Sequence, residues 1–517
     1  MKKIVVLGGG TAGWLTSLLT REFYADFDIT VVESSEIGIL GAGEGTVPHF
    51  VELLDFLRIP ISALVRECNA TIKIGIRFRN WHGDGTSYFH DFIAKSDLEE
   101  WSFDDAFRHN KLTTYLIGKG VHLDSINFYA KLSDQWKVPF ILNDLNDPLL
   151  ANYADPIAAV QHLGNFALHF DARLLAQFLG AVAQKKRGIK RIDGKFVRAV
   201  TGENGYITAV QLEGGQQLAC DFVFDCSGFA RLLLGKHFNE KWIDYKKHLP
   251  LDTAMPFFIP HDGVNFPPHT EAIALKCGWM WKIPVQNRYG CGYVFDSSYI
   301  DLDGAKQEVE DFLGHEIESP KTFRFEAGSF ENMLVKNCCG VGLSQHFVEP
   351  LEATSIWTFS KNLINFLKSD LIMHLSPEFT DAFNRHCREI IEPVPEFLHL
   401  HYLTERNDSP FWREFRSKTE MVDTLANKRR LWDTIPLFDP DTVLLQMFNT
   451  PSWISVGDGV RFFNRKAFRS LASHWNEQLL DQQSTFLNSK HEHLGRACML
   501  HGDFLRLMRQ KSQPIPG

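Results

Sequence analysis

The sequence lacks the features of a membrane-spanning or secreted chain. No apolar run reaches the length of about 18 residues that a transmembrane helix needs. The first residues, MKKIVVLGGG, place two lysines before an apolar run of only four residues. That run is too short for the hydrophobic region of a signal peptide, so we expect neither a membrane span nor a secretory signal.

Positive charge is also in short supply. The chain has 54 Lys and Arg against 63 Asp and Glu, which gives a formal net charge of −9. No segment combines clustered basic residues with interleaved aromatic residues, the pattern with which proteins neutralise and stack on nucleic acids. We therefore expect no nucleic-acid partner.

Cysteine is sparse and irregularly placed. Nine cysteines are scattered over 517 residues, and the closest pair, Cys338 and Cys339, is adjacent and lacks the spacing of metal ligands. The sequence therefore predicts reduced thiols in a cytoplasmic chain, with neither a disulfide framework nor a metal site.

The length predicts more than one domain, because single hydrophobic cores stop growing at about 250–300 residues. The apolar share of 44% and the charged share of 23% are those of an ordinary soluble globular protein. From about residue 396 onward, helical patterns rich in Trp, Phe, Arg and Asp replace strand and turn patterns. We place the boundary there, which gives two closely packed parts, residues 1–395 and 396–517.

The amino-terminal segment has the pattern of a βαβ dinucleotide-binding unit. A buried strand ends at Leu7, a Gly-x-Gly-x-x-Gly turn follows (Gly8, Gly10 and Gly13), and a helix and a second strand then end at Glu33. The glycines allow close backbone approach, and the start of the helix would face a pyrophosphate. Glu33 lies 20 residues after Gly13, where an acid would hold a ribose hydroxyl.

Later segments extend this sheet. Residues 191–229 alternate short apolar strands with glycine turns, as a β-meander would, and end in a buried strand from Phe222 to Cys226. The turn Ser227-Gly228 after that strand is expected to meet the cofactor. Only one glycine triplet of the dinucleotide type is present, although enzymes that bind FAD and are reduced by a nicotinamide on the same chain often have two.

The segment GWMWKIP, residues 278 to 284, places tryptophans on one face of a strand. Because side chains alternate along a strand, Trp279, Trp281 and Ile283 point one way, and Met280 and Lys282 point the other. Residues alone leave two interpretations open. The aromatic residues either pack in a core or form a rigid wall beside a site.

The chain resembles the flavin-dependent halogenases of the tryptophan-halogenase type. The resemblance lies in GGGTAGW (8 to 14), GAGEGTVP (41 to 48), ALHFDARLLAQFL (167 to 179), GWMWKIP and FVEPLEAT (347 to 354). The Trp-x-Trp-x-Ile-Pro string is the most specific of these motifs. In that family the tryptophans stand beside the flavin and are thought to keep the organic substrate away from the oxidant made there.

The resemblance implies an α/β (α+β) fold, namely the FAD-binding Rossmann-like flavin monooxygenase fold with a mainly helical substrate-binding part. Residues 1–395 would bind FAD and form the substrate-facing sheet, and residues 396–517 would complete the substrate site. FAD would arrive as FADH2 from a separate flavin reductase, with O2, a halide and a small aromatic molecule as the other substrates. The assembly state is left open, a homo-oligomer included.

The family's catalytic lysine corresponds to Lys73. Ile72, Ile74, Ile76 and Phe78 alternate onto one face of a predicted strand, which leaves Lys73 on the other face. Residues alone favour a solvated lysine. The resemblance instead implies that its ammonium, given space by the neighbouring Gly75, transfers the halogen either through a hydrogen bond to hypohalous acid or as a haloamine.

The second catalytic residue of the family corresponds to Glu352. Its carboxylate would polarise hypohalous acid or take the ring proton. Residues alone favour an acid at a helix start, because Pro350 resembles an early helical position, and the two interpretations are compatible. Backbone N–H groups at that helix start would hold the halide beside Thr354 and Ser355.

The resemblance also implies which residues contact FAD. They occupy the glycine turn, the second motif and three later positions: Gly8, Gly10, Thr11, Ala12, Gly13, Glu33, Ala42, Glu44, Val197, Leu343 and Ile356.

The chain departs from the family pattern at three places. Ala353-Thr354-Ser355 replaces the usual Ser-Thr-Gly, and Gln345-His346 replaces small residues, so the halide preference is expected to move toward bromide or iodide. In residues 448–460, FNTPSWISVGDGV, Trp453 stands where enzymes acting on free tryptophan have paired tyrosines and an acid. We therefore expect another indole, a phenol or a similar ring as substrate.

Two alternatives compete with a halogenase. A flavin monooxygenase would hydroxylate its substrate directly, but such enzymes usually have a Gly-Asp turn where this chain has Gly342-Leu343. A catalytically silent flavoprotein would not need Lys73 and Glu352, and both are present.

Overall fold

The computed structural model describes residues 2–36, 38, 43–92, 103–142, 160–162, 164–318, 321–433, 447–510 and 515. Within these ranges no helix is both long and apolar enough to cross a membrane. All nine cysteines are free and buried.

A six-stranded sheet forms the expected dinucleotide-binding layer. Its central strands run parallel, with register pairs such as Ile4↔Phe222 and Ile4↔Ile29, and only the last strand is antiparallel. The glycine turn leaves the carboxyl edge of the central strand, between its two neighbours, which is where parallel α/β sheets bind ligands. In spatial order the strands are Lys190–Asp193, Asp28–Glu33, Lys3–Leu7, Phe222–Asp225, Cys338–Gly340 and Leu334–Val335.

Helices cover this sheet and bury its apolar strands. The helix Ala172–Arg187 begins where the Asp171 side chain accepts a hydrogen bond from the N–H of Leu174, and it ends at Gly188 in the left-handed conformation (φ 62°). It packs with two further helices against the largest apolar cluster of the molecule. These are Thr11–Phe23 and Ser355–Lys368.

A seven-stranded, mostly antiparallel sheet contains the tryptophan motif near its centre. The strand Gly278–Val285, here called the wall strand, pairs antiparallel with a neighbour on each side. In spatial order the sheet contains Phe323–Arg324, Thr253–Pro260, Arg288–Phe295, the wall strand, Thr270–Ala274, Gly75–Arg79 and Ser87–Asp91.

Four smaller sheets are present in the described residues beside these two. One is the predicted meander, and another joins the GAGEGTVP segment to the strand Thr71–Lys73, here called the lysine strand. The small sheets are Phe196–Thr201 with Ile207–Leu212 and Gln217–Ala219; Trp242–Asp244 with Gly328–Phe330 and His346–Phe347; Glu44–Gly45 with Ala167–Phe170 and the lysine strand; and Phe140–Leu142 with Val160–His162.

The carboxyl-terminal part is helical, as predicted. Every strand or helix that the structure describes after Ile391 is an α-helix: Pro393–His401, Pro410–Lys418, Asp423–Trp432, Thr450–Gly459, Arg465–Ala472, Glu477–Ala497 and His501–Gln510. The other α-helices in the described ranges are His49–Phe56, Ile61–Glu67, Phe103–Lys119, Phe128–Asp134, Leu302–Leu313 and Pro377–Ile391. The division predicted between residues 395 and 396 falls inside the first C-terminal helix and remains a prediction.

Candidate active site

Lys73 is fully buried at the end of the lysine strand. Its Nζ donates a hydrogen bond of 2.9 Å to the carbonyl oxygen of Thr46. Gly45 lies beside the ammonium, since a Cβ at that position would lie 3.4 Å from Nζ, an ordinary contact distance. Burial lowers the pKa of Lys73 to about 8, although the charge of Glu352 acts in the opposite direction.

Two details of the predicted lysine environment are wrong. The segment from residue 72 to 78 is not one strand, because the chain passes from one sheet to another at Ile74, whose N–H donates to the carbonyl of Pro268. Gly75 does not give space to the ammonium. A Cβ there would lie 2.4 Å from the carbonyl oxygen of His90 and 2.7 Å from the ring of Phe89.

Hydrogen bonds from distant segments fix the lysine strand. The hydroxyl of Thr71 donates to the carbonyl of Pro284 in the wall strand at 2.7 Å, and the N–H of Ile72 donates to His501 Nε2 at 3.0 Å. Because Nε2 accepts, the imidazole proton lies on Nδ1, which is 3.3 Å from the carbonyl of Phe266. Burial lowers the pKa of His501 to about 3, so this histidine stays neutral.

Glu352 is buried between two imidazoles. Its carboxylate oxygens lie 2.9 and 3.0 Å from His90 Nδ1, and Oε1 lies 2.9 Å from His401 Nε2. Burial by itself would raise the pKa of Glu352, but the two imidazoles outweigh it and lower the pKa to about 2. Pro350 begins a 3-10 turn that ends at Glu352, and the α-helix begins only at Ser355.

Glu349, on the approach to the same turn, has a different environment. It is buried, and the hydroxyl of Tyr402 donates to its two oxygens at 2.7 and 2.8 Å. Burial raises the pKa of Glu349 to about 7, although Tyr402 and Trp279 act against the shift. The motif FVEPLEAT contains this residue, but the sequence alone predicts no role for it.

The two tryptophans of the wall strand are buried on the same face, as the alternation predicts. Trp279 is 1% exposed, Trp281 is 7% exposed, and their ring centroids lie 6.3 Å apart. Gly292 on the paired strand makes this possible, because a Cβ there would lie 2.1 Å from the Trp281 ring. Both rings belong to an apolar cluster that includes Phe397 and Trp453 of the C-terminal helices.

The glycine turn is shaped for a ligand at one position and for packing at the others. Cβ atoms at Gly8 and Gly13 would lie 2.2 and 1.9 Å from backbone oxygens, so these glycines allow the helix to approach the strands. Gly10 has no atom within 4 Å of its Cβ position, and no side chain caps the helix that begins at Thr11. This open helix start fits the pyrophosphate of a dinucleotide.

The structure brings several other predicted cofactor residues to this turn. A Cβ at Gly342 would lie 2.9 Å from that of Ala12, so the turn containing Leu343 packs against the first helix. Ile356 is 9% exposed in the apolar cluster against which Ala12 packs. Glu33 lies beside Gly9 at the end of its strand and forms an ion pair with Arg191.

The remaining predicted cofactor positions differ in setting. Val197 lies at a β-bulge and is 55% exposed. Glu44 is half-buried in a short strand that pairs with Phe170, and burial raises its pKa to about 7. Ala42 lies outside the described residues.

Both predicted halide residues lie at the start of the helix Ser355–Lys368. Thr354 is 2% exposed and immediately precedes the helix, and Ser355 is half-buried. No side chain caps this helix start. Uncapped N–H groups at a helix start suit an anion, and the halide site at these residues remains a prediction.

A sequence profile of the tryptophan halogenase family matches residues 3–474. Tryptophan 7-halogenase RebH of Lentzea aerocolonigenes is 34% identical to this chain over 439 residues, which cover 82% of this chain and 81% of RebH. The chain belongs to the tryptophan halogenase family. A flavin-dependent halogenase from Xanthomonas campestris has a similar structure, with a TM-score of 0.85, 28% identity and 99% of both chains covered. BrvH, a flavin-dependent halogenase from Brevundimonas sp. BAL3, has a TM-score of 0.83 and 29% sequence identity, with 98% of this chain and 99% of BrvH covered.

The chain is therefore a flavin-dependent halogenase that acts on aromatic substrates, with the mixed α/β halogenase fold over its whole length. Membership implies FAD and, in general, a flavin reductase. The open glycine turn of this halogenase fits that cofactor. Sequence reasoning missed His90 and His401, because the bond between His90 and Glu352 joins residues 262 positions apart.

Proposed function

We propose that this halogenase transfers halogen to an electron-rich ring through Lys73. The supporting observation is the setting of Lys73, whose buried Nζ donates to a neutral carbonyl and has a pKa lowered to about 8. Near neutral pH a measurable fraction of this lysine is therefore an amine. Either form suits the task, since the ammonium can donate to hypohalous acid and the amine can take up the halogen as a haloamine.

The cofactor would be held by the glycine turn and the residues around it, namely Gly8, Gly10, Thr11, Ala12, Gly13, Glu33, Ala42, Glu44, Val197, Leu343 and Ile356. FADH2, when bound, supplies the reducing equivalents with which O2 and a halide give hypohalous acid. The helix start at Thr354 and Ser355 would hold the halide beside this cofactor.

The wall strand would separate oxidant formation from ring halogenation. Trp279 and Trp281 are rigid because both are buried and because Gly292 leaves no spare volume beside Trp281. A rigid wall would let hypohalous acid pass around it while keeping the aromatic substrate away from the flavin. The ring of Phe92, whose centroid lies 5.3 Å from Lys73 Nζ, offers a face for the substrate on the lysine side.

The substrate we favour is a neutral indole, phenol or similar ring rather than free tryptophan. Trp453 is 2% exposed and packs edge-on against Phe397 at 4.9 Å, and Phe448 stacks on Phe397 at 3.7 Å. These aromatic contacts occupy residues 448–460, where enzymes acting on free tryptophan have paired tyrosines and an acid. Binding a substrate whose charged ends lack partners costs about 1–3 kcal/mol or more, enough for a tenfold preference.

Lysine replacement tests the proposed transfer step. In Lys73→Ala we expect halogenation to be lost while FAD binding and peroxide production persist, because Lys73 acts after the flavin chemistry. Lys282→Ala is the matched control, since this lysine lies on the wall strand but pairs with Glu271 at 3.1 Å. Normal halogenation by Lys73→Ala, measured by mass spectrometry with a reductase supplying FADH2, contradicts the proposal.

Competition assays test the substrate and the halide. With equal indole and tryptophan, first in chloride and then in bromide, we expect indole to react faster and bromide to serve at least as well as chloride. Gln345 and His346, both buried, replace the small residues that suggest chloride preference. Strong preference for tryptophan with chloride contradicts both expectations. NADH alone, without a reductase, should give no product.

A further inference from the structure

A hydrogen-bonded array surrounds Glu352 and continues beyond its two histidines. His401 Nδ1 lies 2.8 Å from the hydroxyl of Tyr88, and both side chains are buried. Phe78 stacks on the Tyr88 ring at 4.7 Å and on the His401 ring at 4.5 Å. The His401 ring is therefore held by stacking as well as by its nitrogens.

The positions of the protons follow from these contacts. Burial raises the pKa of Tyr88 well above its usual range, so the phenol keeps its proton and donates it to His401 Nδ1. Burial also lowers the pKa of His401, although Glu352 opposes this shift. Because Nδ1 accepts from Tyr88, the single proton of the neutral ring lies on Nε2, which is 2.9 Å from Glu352 Oε1 but is not aligned for a hydrogen bond. His90 presents Nδ1 to both oxygens of Glu352 and donates to them.

His90 thus directs an N–H group at Glu352, and the Nε2–H group of His401 lies beside the same carboxylate at an N···O distance of 2.9 Å. A nitrogen that already bears a proton cannot accept another one from the carboxylic acid, so this array does not relay a proton away from Glu352. It stabilises the ionised form instead.

We infer that His401, oriented by Tyr88, is a positioning residue that holds Glu352 together with His90 as a permanent anion. Glu352 then acts on the reaction as a fixed negative charge rather than as the base that retains the ring proton. This inference rests on the proposed function, in which Glu352 and Lys73 act on the same halogen. The charge of Glu352 already favours the cationic form of Lys73, and it would favour a cationic ring in the same way.

Two other glutamates of the same protein, one buried and one half-buried, show the effect of lacking imidazole partners. Glu349 is also buried but has a phenol rather than imidazoles beside it, and burial raises its pKa to about 7. Glu44 has a pKa raised by burial to about 7 as well. Without its imidazole partners, Glu352 is expected to have a pKa that rises toward those of Glu349 and Glu44.

The test is the pH profile of halogenation in variants of His401. His401→Phe keeps the ring stack but removes the N–H, whereas His401→Gln can retain an N–H near the position of Nε2. In His401→Phe, kcat should fall on the acid side of the pH profile (the acid limb) at a pH about 1–2 units higher than in the wild type. In His401→Gln, the acid limb should stay where it is in the wild type. Besides His401, the titratable groups that face this carboxylate are His90, Tyr88 and Lys73, with Glu349 before the same turn, and all four stay unchanged in both variants.

Tyr88→Phe gives an independent measurement. It removes the phenol that fixes the His401 proton but keeps the stacked ring, so its acid limb should move in the same direction by less than about one unit. Thermal midpoints and FAD affinity report whether the fold is retained, and if His401→Phe does not fold, Tyr88→Phe decides alone. Unchanged acid limbs in the folded variants overturn the inference, and so does an equal shift in His401→Gln. Full activity of Glu352→Gln would instead contradict the proposed role of Glu352 itself.

Discussion

Gly292→Ala is predicted to displace the tryptophan wall. Gly292 lies opposite Trp281 in the strand register, and an added Cβ would lie 2.1 Å from two atoms of the indole ring. Carbon atoms in contact are normally about 3.5–4.0 Å apart, so the ring has to move by about 1.5 Å. Because Trp281 is buried, we expect a loss of about 1–3 kcal/mol in the free energy of unfolding.

The measurement is the denaturant midpoint of four variants without cofactor. Trp281→Phe removes the ring atoms that would clash, so the double variant with Gly292→Ala should be more stable than the sum of the single effects predicts, by about 0.5–3 kcal/mol. Trp279→Phe is the matched control, because no atom of Trp279 is among those nearest the added Cβ. Equal stability of Gly292→Ala and wild type, or strict additivity with Trp281→Phe, would refute the packing argument. The displaced wall should also increase peroxide release relative to halogenated product.

Two further predictions concern the cofactor turn and the lysine. Gly10→Ala should leave the denaturant midpoint unchanged but weaken FAD binding, because its Cβ meets no protein atom. Gly13→Ala should lower both stability and FAD affinity, because its Cβ would lie 1.9 Å from the Gly8 oxygen. Equal behaviour of the two variants contradicts this assignment. Lys73→Met should be more stable than the wild type below pH 8. The difference in free energy of unfolding should shrink by about 3 kcal/mol toward pH 10.5, because between these pH values Lys73 holds its proton in the unfolded chain but not in the folded one. Denaturant midpoints of both proteins at about pH 7 and about pH 10 check this, and a constant difference contradicts the lowered pKa.

The features predicted well from the sequence are local ones. The first strand, the glycine turn, the helix and the strand ending at Glu33 were predictable because each signal lies within a few residues and no distant segment alters it. The facing of Trp279 and Trp281 followed from the same two-residue period.

The features that failed or were missed depend on distant segments. Alternation predicted one strand through Ile74, but the two halves find partners in different sheets, and no local pattern marks that change. Gly45 rather than Gly75 lies beside the Lys73 ammonium, because the folded chain brings the strand Glu44–Gly45 to it. The bond between Tyr88 and His401 spans 313 positions, so a single sequence gives no sign of it.

The attachment of the lysine strand to His501 has a consequence for engineering. The N–H of Ile72 donates to the first residue of the helix His501–Gln510, so this helix and the strand that ends at Lys73 are held together through one neutral imidazole. Libraries built to change the substrate range usually vary residues that face the pocket. In this chain, substitutions that rotate or loosen the helix His501–Gln510 would act on Lys73 through this hydrogen bond, and tags or fusions placed after that helix should be joined through flexible linkers.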